Sequence, residues 1–231
     1  MLLGNILKSA SKNYQKIPIK GISDDSRKVK RNYIFFAIQG YKTSGLKFIN
    51  KAITNGASVI ICEKKPKNIN KKIPLILVKD IRKSLAEVCS IFYKKKPLNI
   101  VAVTGTNGKS SVADFFYQIL KLNNISASSI GTLGIKSKNY NLKTNLTSVD
   151  PISLHRSLEI LAKRKINNVI LEASSHGLSQ KRLDGLEINI GIFTNISHDH
   201  LDYHKTMKSY FNSKMYLFKN LLKKNSNIIT D

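Results

Sequence analysis

The stretch Val103-Thr104-Gly105-Thr106-Asn107-Gly108-Lys109-Ser110-Ser111 combines two glycines, a lysine and hydroxyl side chains. Glycines let backbone N–H groups approach phosphate oxygens, and a helix N-terminus adds partial positive charge. Lys109 can neutralise the β- and γ-phosphates of a nucleotide, and the Ser110 hydroxyl can coordinate Mg²⁺. The spacing departs from the generic G-x-x-x-x-G-K-[ST] loop, because Val103 stands at the first glycine position. A Gly-Asn turn with an incidental lysine is the bland alternative. The apolar run before the loop and the helical pattern after it argue against that.

Two further polar stretches follow apolar runs. Glu172 comes directly after Val169-Ile170-Leu171 and precedes Ala173-Ser174-Ser175-His176-Gly177-Leu178-Ser179-Gln180-Lys181-Arg182. A carboxylate at the end of a strand can take a divalent cation, and Arg182 can pair with a substrate carboxylate. The second stretch is Thr194-Asn195-Ile196-Ser197-His198-Asp199-His200-Leu201-Asp202-Tyr203-His204. Three histidines and two aspartates in seven residues suggest zinc. The spacing is not that of a helix-borne H-E-x-x-H site and no cysteine helps, so a place beside Glu172 in a nucleotide–Mg²⁺ site is more economical. Taken singly, each histidine also suits structural hydrogen bonding.

Lys214 is out of pattern. Apolar or aromatic residues at 207, 210, 211, 217, 218, 221 and 222 form one stripe at helical spacing, and position 214 lies in its middle. Its stem either snorkels to the edge, or burial lowers its pKa and leaves a neutral amine able to react with CO₂.

The elements that must position these groups alternate. Strands are expected at 33–38, 58–62 and 74–78, with helices near 48–55 and over 81–93. After Lys94-Lys95-Lys96-Pro97, taken as a linker, come a strand at 100–103 and a helix over 110–122. A helix over 154–165, a strand at 169–171, a strand at 188–193 and a helix over 206–224 follow, with another strand beginning at 227. This order predicts an α/β protein. Residues 1–96 form a small α/β domain, and 97–231 a mainly parallel sheet wrapped by helices and incomplete at its C-terminal side. There is no internal repeat.

Length and composition bound the rest. The 231 residues, 42% hydrophobic, can bury a core. No apolar run reaches the roughly 18–20 residues of a membrane span, and the N-terminus has no signal-peptide layout. Cys62 and Cys89 read as two buried thiols, which excludes a disulfide scaffold. The net charge of +25 comes mostly from lysines spread along the chain. Lysine, asparagine and isoleucine have AT-rich codons and Trp is absent, so biased composition accounts for the charge without a nucleic-acid role.

The loop T-G-T-N-G-K-S resembles the ATP loop of the Mur ligases and of related enzymes such as folylpolyglutamate synthetase. E-A-S-S-H-G-L-S-Q-K-R at 172–182 and T-N-I-S-H-D-H-L-D-Y-H at 194–204 resemble the Mur ligases that extend UDP-N-acetylmuramoyl-L-alanyl-D-glutamate by the third stem-peptide residue. Asp25-Ser26-Arg27, the segment ending Ala37-Ile38-Gln39-Gly40, and Phe48-Ile49 with Ala52 and Gly56-Ala57 resemble that family's UDP-binding domain.

The resemblance implies an ATP-dependent carboxylate–amine ligase of cell-wall precursor synthesis, with ATP and Mg²⁺ as cofactors. The partners are UDP-MurNAc-L-Ala-D-Glu and a diamino acid, meso-diaminopimelate or lysine. The absence of a signal-peptide layout and the two buried thiols lead us to expect a cytoplasmic protein, and a monomer is expected. By position, Ser26, Tyr41, Lys42 and Thr43 would hold the UDP-sugar. Thr147 and Ser148 would meet the muramoyl peptide; the family commonly has two threonines there. Ser174, Gln180 and Arg182 would hold the peptide. Gly105, Thr106, Asn107, Gly108, Lys109, Ser110 and Ser111 would bind ATP. Ser110, Glu172 and His200 would bind Mg²⁺, with Lys214, carbamylated, holding a second ion; Lys109, Glu172, His200 and Lys214 would be catalytic. Asp24 stands where an apolar residue is common. The family carries a third, amino-acid-binding domain that this sequence lacks, so the chain is expected to be a fragment that does not ligate alone. Other readings are a folylpolyglutamate synthetase-like ligase and a non-catalytic module that binds UDP-muramoyl peptide.

Overall fold

The computed structural model describes all residues except Ser9, Tyr41, Lys42, Asn68, Asn70, Lys71, Lys72, Asn139, 144–146 and Asp231. Two compact units divide the chain, Met1–Phe92 and Tyr93–Asp231.

The first unit contains β1 (Gly21–Ser23), β2 (Tyr33–Phe36), α1 (Ile49–Thr54), β3 (Ala57–Cys62), β4 (Leu75–Leu77) and α2 (Ile81–Phe92). Its four strands lie in sequence order and pair in parallel. The apolar runs of β2 and β3 fit a sheet buried on both faces: Ile34, Phe36, Val59, Ile60 and Ile61 have no exposed surface. The second strand stops at Phe36, short of the expected 38, because the Ile38 N–H turns back to Phe36 O. Cys62 and Cys89 are both buried and free.

The second unit holds the chemistry-bearing stretches. It comprises β5 (Asn99–Thr104), α3 (Lys109–Leu122), β6 (Ala127–Gly131), β7 (Gly134–Ser137), α4 (Pro151–Lys163), β8 (Asn168–Glu172), α5 (Ser175–Ser179), β9 (Ile188–Phe193), α6 (Leu201–His204), α7 (Met207–Tyr216) and β10 (Leu222–Thr230). Its sheet runs β10-β9-β5-β8-β6-β7, parallel except for the antiparallel β6–β7 pair. The register sets Val103 beside both Glu172 and Ile192, and Ile130 beside Leu171. Strands β5, β6, β8 and β9 therefore end together at one edge of the sheet, where open α/β sheets bind ligands.

Two helices depart from expectation. The fourth begins at Pro151, three residues early, because the Asp150 carboxylate accepts the Ser153 N–H at 2.9 Å and proline suits the first helical position. The expected helix over 206–224 ends at Tyr216. A π-helical turn, Leu217–Leu221, then buries Leu217 and Leu221, and the chain continues as β10 along β9. The apolar stripe was real, but its last turns serve a change of direction, not a longer helix.

Candidate functional site

The phosphate-loop stretch leaves the buried end of β5 and enters α3. Gly105 has φ +154°, and a Cβ there would lie 1.9 Å from Thr194 Oγ1; Gly108 has φ +83°. Both positions need glycine. Gly105 and Thr106 are buried, whereas Asn107, Gly108 and Ser111 are exposed. The Thr106 and Asn107 N–H groups donate to Asn195, to its O at 2.9 Å and its Oδ1 at 3.0 Å. Thr194 Oγ1 donates to Asn107 O at 2.6 Å. The first loop amides thus anchor the loop to the segment after β9. The N–H groups offered to an anion are those of the first turn of α3, which lack acceptors within their own helix.

Lys109 Nζ donates to Gly105 O at 2.9 Å and Thr106 O at 2.8 Å, and Lys214 Nζ donates to the same Gly105 O at 2.6 Å. Lys214 is 1% exposed, so its stem does not snorkel. Burial, with Lys109 adding to it and Asp199 opposing, brings the Lys214 pKa down to about 7. Lys109 is also lowered, by burial first, against the opposing charges of Glu172 and Asp199.

Glu172, 4% exposed, ends β8. Its Oε2 accepts from Ser110 Oγ at 2.8 Å and Thr132 Oγ1 at 3.1 Å, and its Oε1 accepts the Thr132 N–H at 3.0 Å. Thr132 Oγ1 also lies 3.0 Å from Thr147 Oγ1. The Thr132 hydroxyl is thus within donating reach of both the Glu172 carboxylate and the Thr147 hydroxyl. Gly131 gives Glu172 its room: a Cβ there would stand 2.1 Å from Oε1. Gly131→Ala is therefore expected to destabilise the chain by about 2 kcal/mol or more. Urea denaturation checks this, and an unchanged midpoint would refute the account.

A second hydroxyl cluster lies behind Glu172. Ser148 is buried; its Oγ donates to Glu172 O at 2.9 Å, accepts the Ser174 N–H at 2.8 Å and lies 3.0 Å from Ser174 Oγ. Ser174 in turn caps α5 by accepting the Gly177 N–H at 3.0 Å. Arg182 donates to Ser148 O at 2.6 Å and Gln180 Oε1 at 2.8 Å, which fixes its fork beside that cluster.

His200 is half exposed, in a left-handed conformation at φ +53°, and its N–H donates to Asp199 Oδ1 at 2.8 Å. The His176 ring packs against those of His200, Tyr203 and His204, with centroids at 4.8, 4.2 and 5.5 Å. Burial first, then neighbouring positive charge, holds His176 and His204 below the usual imidazole range. Among the described residues, no three His, Cys, Asp or Glu side chains gather as metal ligands.

The second unit thus brings together the 103–111 loop, Glu172 and Lys214, and beside them Thr147, Ser148, Ser174, Gln180 and Arg182. Ser26 and Thr43 belong to the first unit. Ser26 is buried in a 3₁₀ turn next to the Asp25–Arg27 ion pair, and its carbonyl accepts from Asn55 Nδ2 at 2.8 Å. The Thr43 carbonyl accepts the Gly40 N–H. Tyr41 and Lys42 lie outside the described residues. Thr132 was not singled out from sequence; Asn195 and Asp199 were named only as members of the 194–204 stretch, and Tyr210 as part of the apolar stripe. Thr132 directly follows β6, a strand not among those expected from sequence, so the rule that ligands meet strand ends did not reach it.

A glycine-bearing loop between a central parallel strand and a helix, with a lysine and a serine facing a buried carboxylate, is the arrangement in which α/β domains of the phosphate-loop class present backbone amides to an anion. Residues 103–231 match the family model described as Mur ligase middle domain, and residues 18–93 the one described as Mur ligase family, catalytic domain. The chain belongs to the Mur ligase family. Similar curated proteins include the UDP-N-acetylmuramoyl-L-alanyl-D-glutamate--2,6-diaminopimelate ligases of Bradyrhizobium diazoefficiens and Brucella melitensis biotype 1. The first is 41% identical over 206 residues, covering 89% of this chain and 42% of the relative. The second is 43% identical over 209 residues, covering 90% and 43%. The chain therefore spans less than half the length of these relatives. A solved structure of a ligase of that name superposes with a TM-score of 0.84 at 33% identity, over 96% of this chain and 46% of the other. MurF ligase from Thermotoga maritima in complex with ADP superposes at 0.61 with 25% identity, over 91% and 45%.

Proposed function

We propose that the chain carries the UDP-muramoyl-binding and ATP-binding parts of an ATP-dependent carboxylate–amine ligase. The ligase extends UDP-MurNAc-L-Ala-D-Glu by a diamino acid in peptidoglycan precursor synthesis. The relatives' names favour 2,6-diaminopimelate over lysine as that amino acid. The observation that carries the reading is the Lys109, Ser110 and Glu172 cluster at the carboxyl ends of the central strands. Nucleotide-linked substrates made and used with ATP suit a cytoplasmic enzyme. Among the described residues no helix is long and apolar enough to cross a membrane.

In the proposed reaction an oxygen of the D-glutamyl side-chain carboxylate attacks the γ-phosphorus of ATP, and ADP leaves. The amine of the diamino acid then attacks the acyl phosphate, forming the amide and releasing phosphate. The α3 amides and Lys109 hold the phosphates. Ser110 and Glu172 offer hard oxygen donors 2.8 Å apart, which suit Mg²⁺, an ion that takes one or two carboxylates together with phosphate oxygens. Ser110, Glu172, His200 and a carbamylated Lys214 would hold the metal, which supplies neutralisation of phosphate charge. The carbamate reading rests on a lysine that is buried and held near neutrality, so that an uncharged amine is available to CO₂.

Titrating the chain separately with Mg²⁺–AMP-PNP and with UDP-MurNAc-L-Ala-D-Glu in a calorimeter tests the reading. Both are expected to bind, and failure of either removes the corresponding half.

Arg182 presents its fork beside the Ser148–Ser174 cluster, where it would meet a carboxylate of the peptide. Arg182→Lys in a ligation-competent protein should raise the KM for the UDP-peptide about 10-fold. An unchanged KM would refute that role.

A further inference from the structure

Helix α7 meets the phosphate loop twice from one face. Lys214 reaches Gly105 O, and one turn earlier Tyr210 OH lies 3.1 Å from Thr106 Oγ1, a contact between residues 104 positions apart. Residues four apart on a helix share a face, so adjacent loop residues are gripped from adjacent turns. Tyr210 is 1% exposed. Its ring is wedged between Lys214, whose Nζ lies 4.3 Å from the centroid, and His204, whose ring centroid is 5.2 Å away. The helix itself is fixed at its start, where Thr206 Oγ1 accepts the Ser209 N–H at 3.1 Å. The hydroxyl of Tyr210 therefore has little freedom to leave.

Thr106 is the junction of the loop. Its N–H donates to Asn195 O at 2.9 Å, and its Oγ1 accepts the Ser197 N–H at 3.0 Å. The Tyr210 hydroxyl completes this set. Without it Thr106 keeps its bonds to a surface segment but loses its bond to the helix that also carries Lys214.

We propose that Tyr210 is a positioning residue for the nucleotide site: through Thr106 its hydroxyl holds residues 105–108 in the shape that receives phosphates. This rests on the reading of 103–111 as a nucleotide loop. Tyr210 itself does not touch the nucleotide. It acts by sparing the loop the cost of ordering at the moment of binding.

The test is a double-mutant cycle on the chain with Tyr210→Phe, Thr106→Val and the pair. The readouts are Mg²⁺–AMP-PNP affinity by calorimetry and the melting temperature without nucleotide. Each single change should weaken AMP-PNP binding about 5-fold, and the pair should be no weaker than the worse single variant. Wild-type affinity in Tyr210→Phe, or losses that simply add, would overturn the proposal. So would a lowered melting temperature with affinity intact, the mark of a merely structural hydroxyl. Should Tyr210→Phe fail to fold, amide hydrogen exchange at residues 105–108 in Thr106→Val decides: faster exchange supports the clamp and wild-type exchange overturns it. A wild-type chain that binds no AMP-PNP would overturn the nucleotide-loop reading, and this proposal with it.

Discussion

Replacing Lys214 with alanine in a ligation-competent protein carrying this chain is expected to lower turnover by about 100-fold or more, with partial recovery when a short carboxylate such as acetate is added. The side chain sits in the core, its ammonium on a single backbone carbonyl that Lys109 also uses. Burying a cation that is hydrogen-bonded to a carbonyl but forms no ion pair among the described residues is costly. As a carbamate it would become an anion facing Lys109, and a small carboxylate could take that place once the lysine is gone. Near-normal turnover in Lys214→Ala, or no response to acetate, would reject this. The same residue leaves a mark on stability. With a folded value of about 7 against an ordinary 10.5, the native state binds fewer protons than the unfolded chain between those pH values. Stability then rises with pH across that window, while below about 7 the full cost of burying charge persists. Lys214→Met, which keeps the bulk and removes the charge, should be the more stable form at pH 6.5, with the gap in urea midpoint narrowing by pH 9.5.

Lys109→Ala should weaken Mg²⁺–AMP-PNP binding by about 100-fold or more, the range for removing one partner of a desolvated charge pair. Binding of the UDP-muramoyl dipeptide should survive. The separation follows from placement: Lys109 opens α3 in the second unit, while Ser26 lies in a turn of the first. Calorimetry with both ligands decides, and an equal loss of both affinities would refute the division of labour.

The parts of the site that are legible in the sequence are those written in consecutive residues. A buried apolar run followed by Gly105, Gly108 and Lys109 announces a strand, a loop and a helix in order. Glu172 directly after Val169-Ile170-Leu171 announces a carboxylate at a strand end. The burial of Lys214 was readable too, because its neighbours three and four positions away are apolar or aromatic. The end of α7 was not, because Leu217 and Leu221 keep helical spacing while the backbone loosens into a π turn. Nor were the pairings of Thr132 with Glu172 and of Tyr210 with Thr106. They join residues 40 and 104 positions apart, and a lone threonine or tyrosine carries no local pattern that names its partner.

The strand β10 has one more bearing on how the chain behaves in a tube. It is the last strand in its sheet order, hydrogen-bonded to β9 along one side, with Ile228 and Ile229 more than half exposed. A strand in that position offers its other row of N–H and C=O groups as a template for a second chain. Two features blunt the template: the register slip between Leu222 and Asn227, and the exposed pair Lys223 and Lys224 beside it. The first is built into the backbone and survives any buffer. The second is electrostatic repulsion, which added salt screens over a Debye length of about 10 Å at 0.1 M. High ionic strength therefore removes the electrostatic guard, and edge-to-edge association through β10 is expected to rise with added salt.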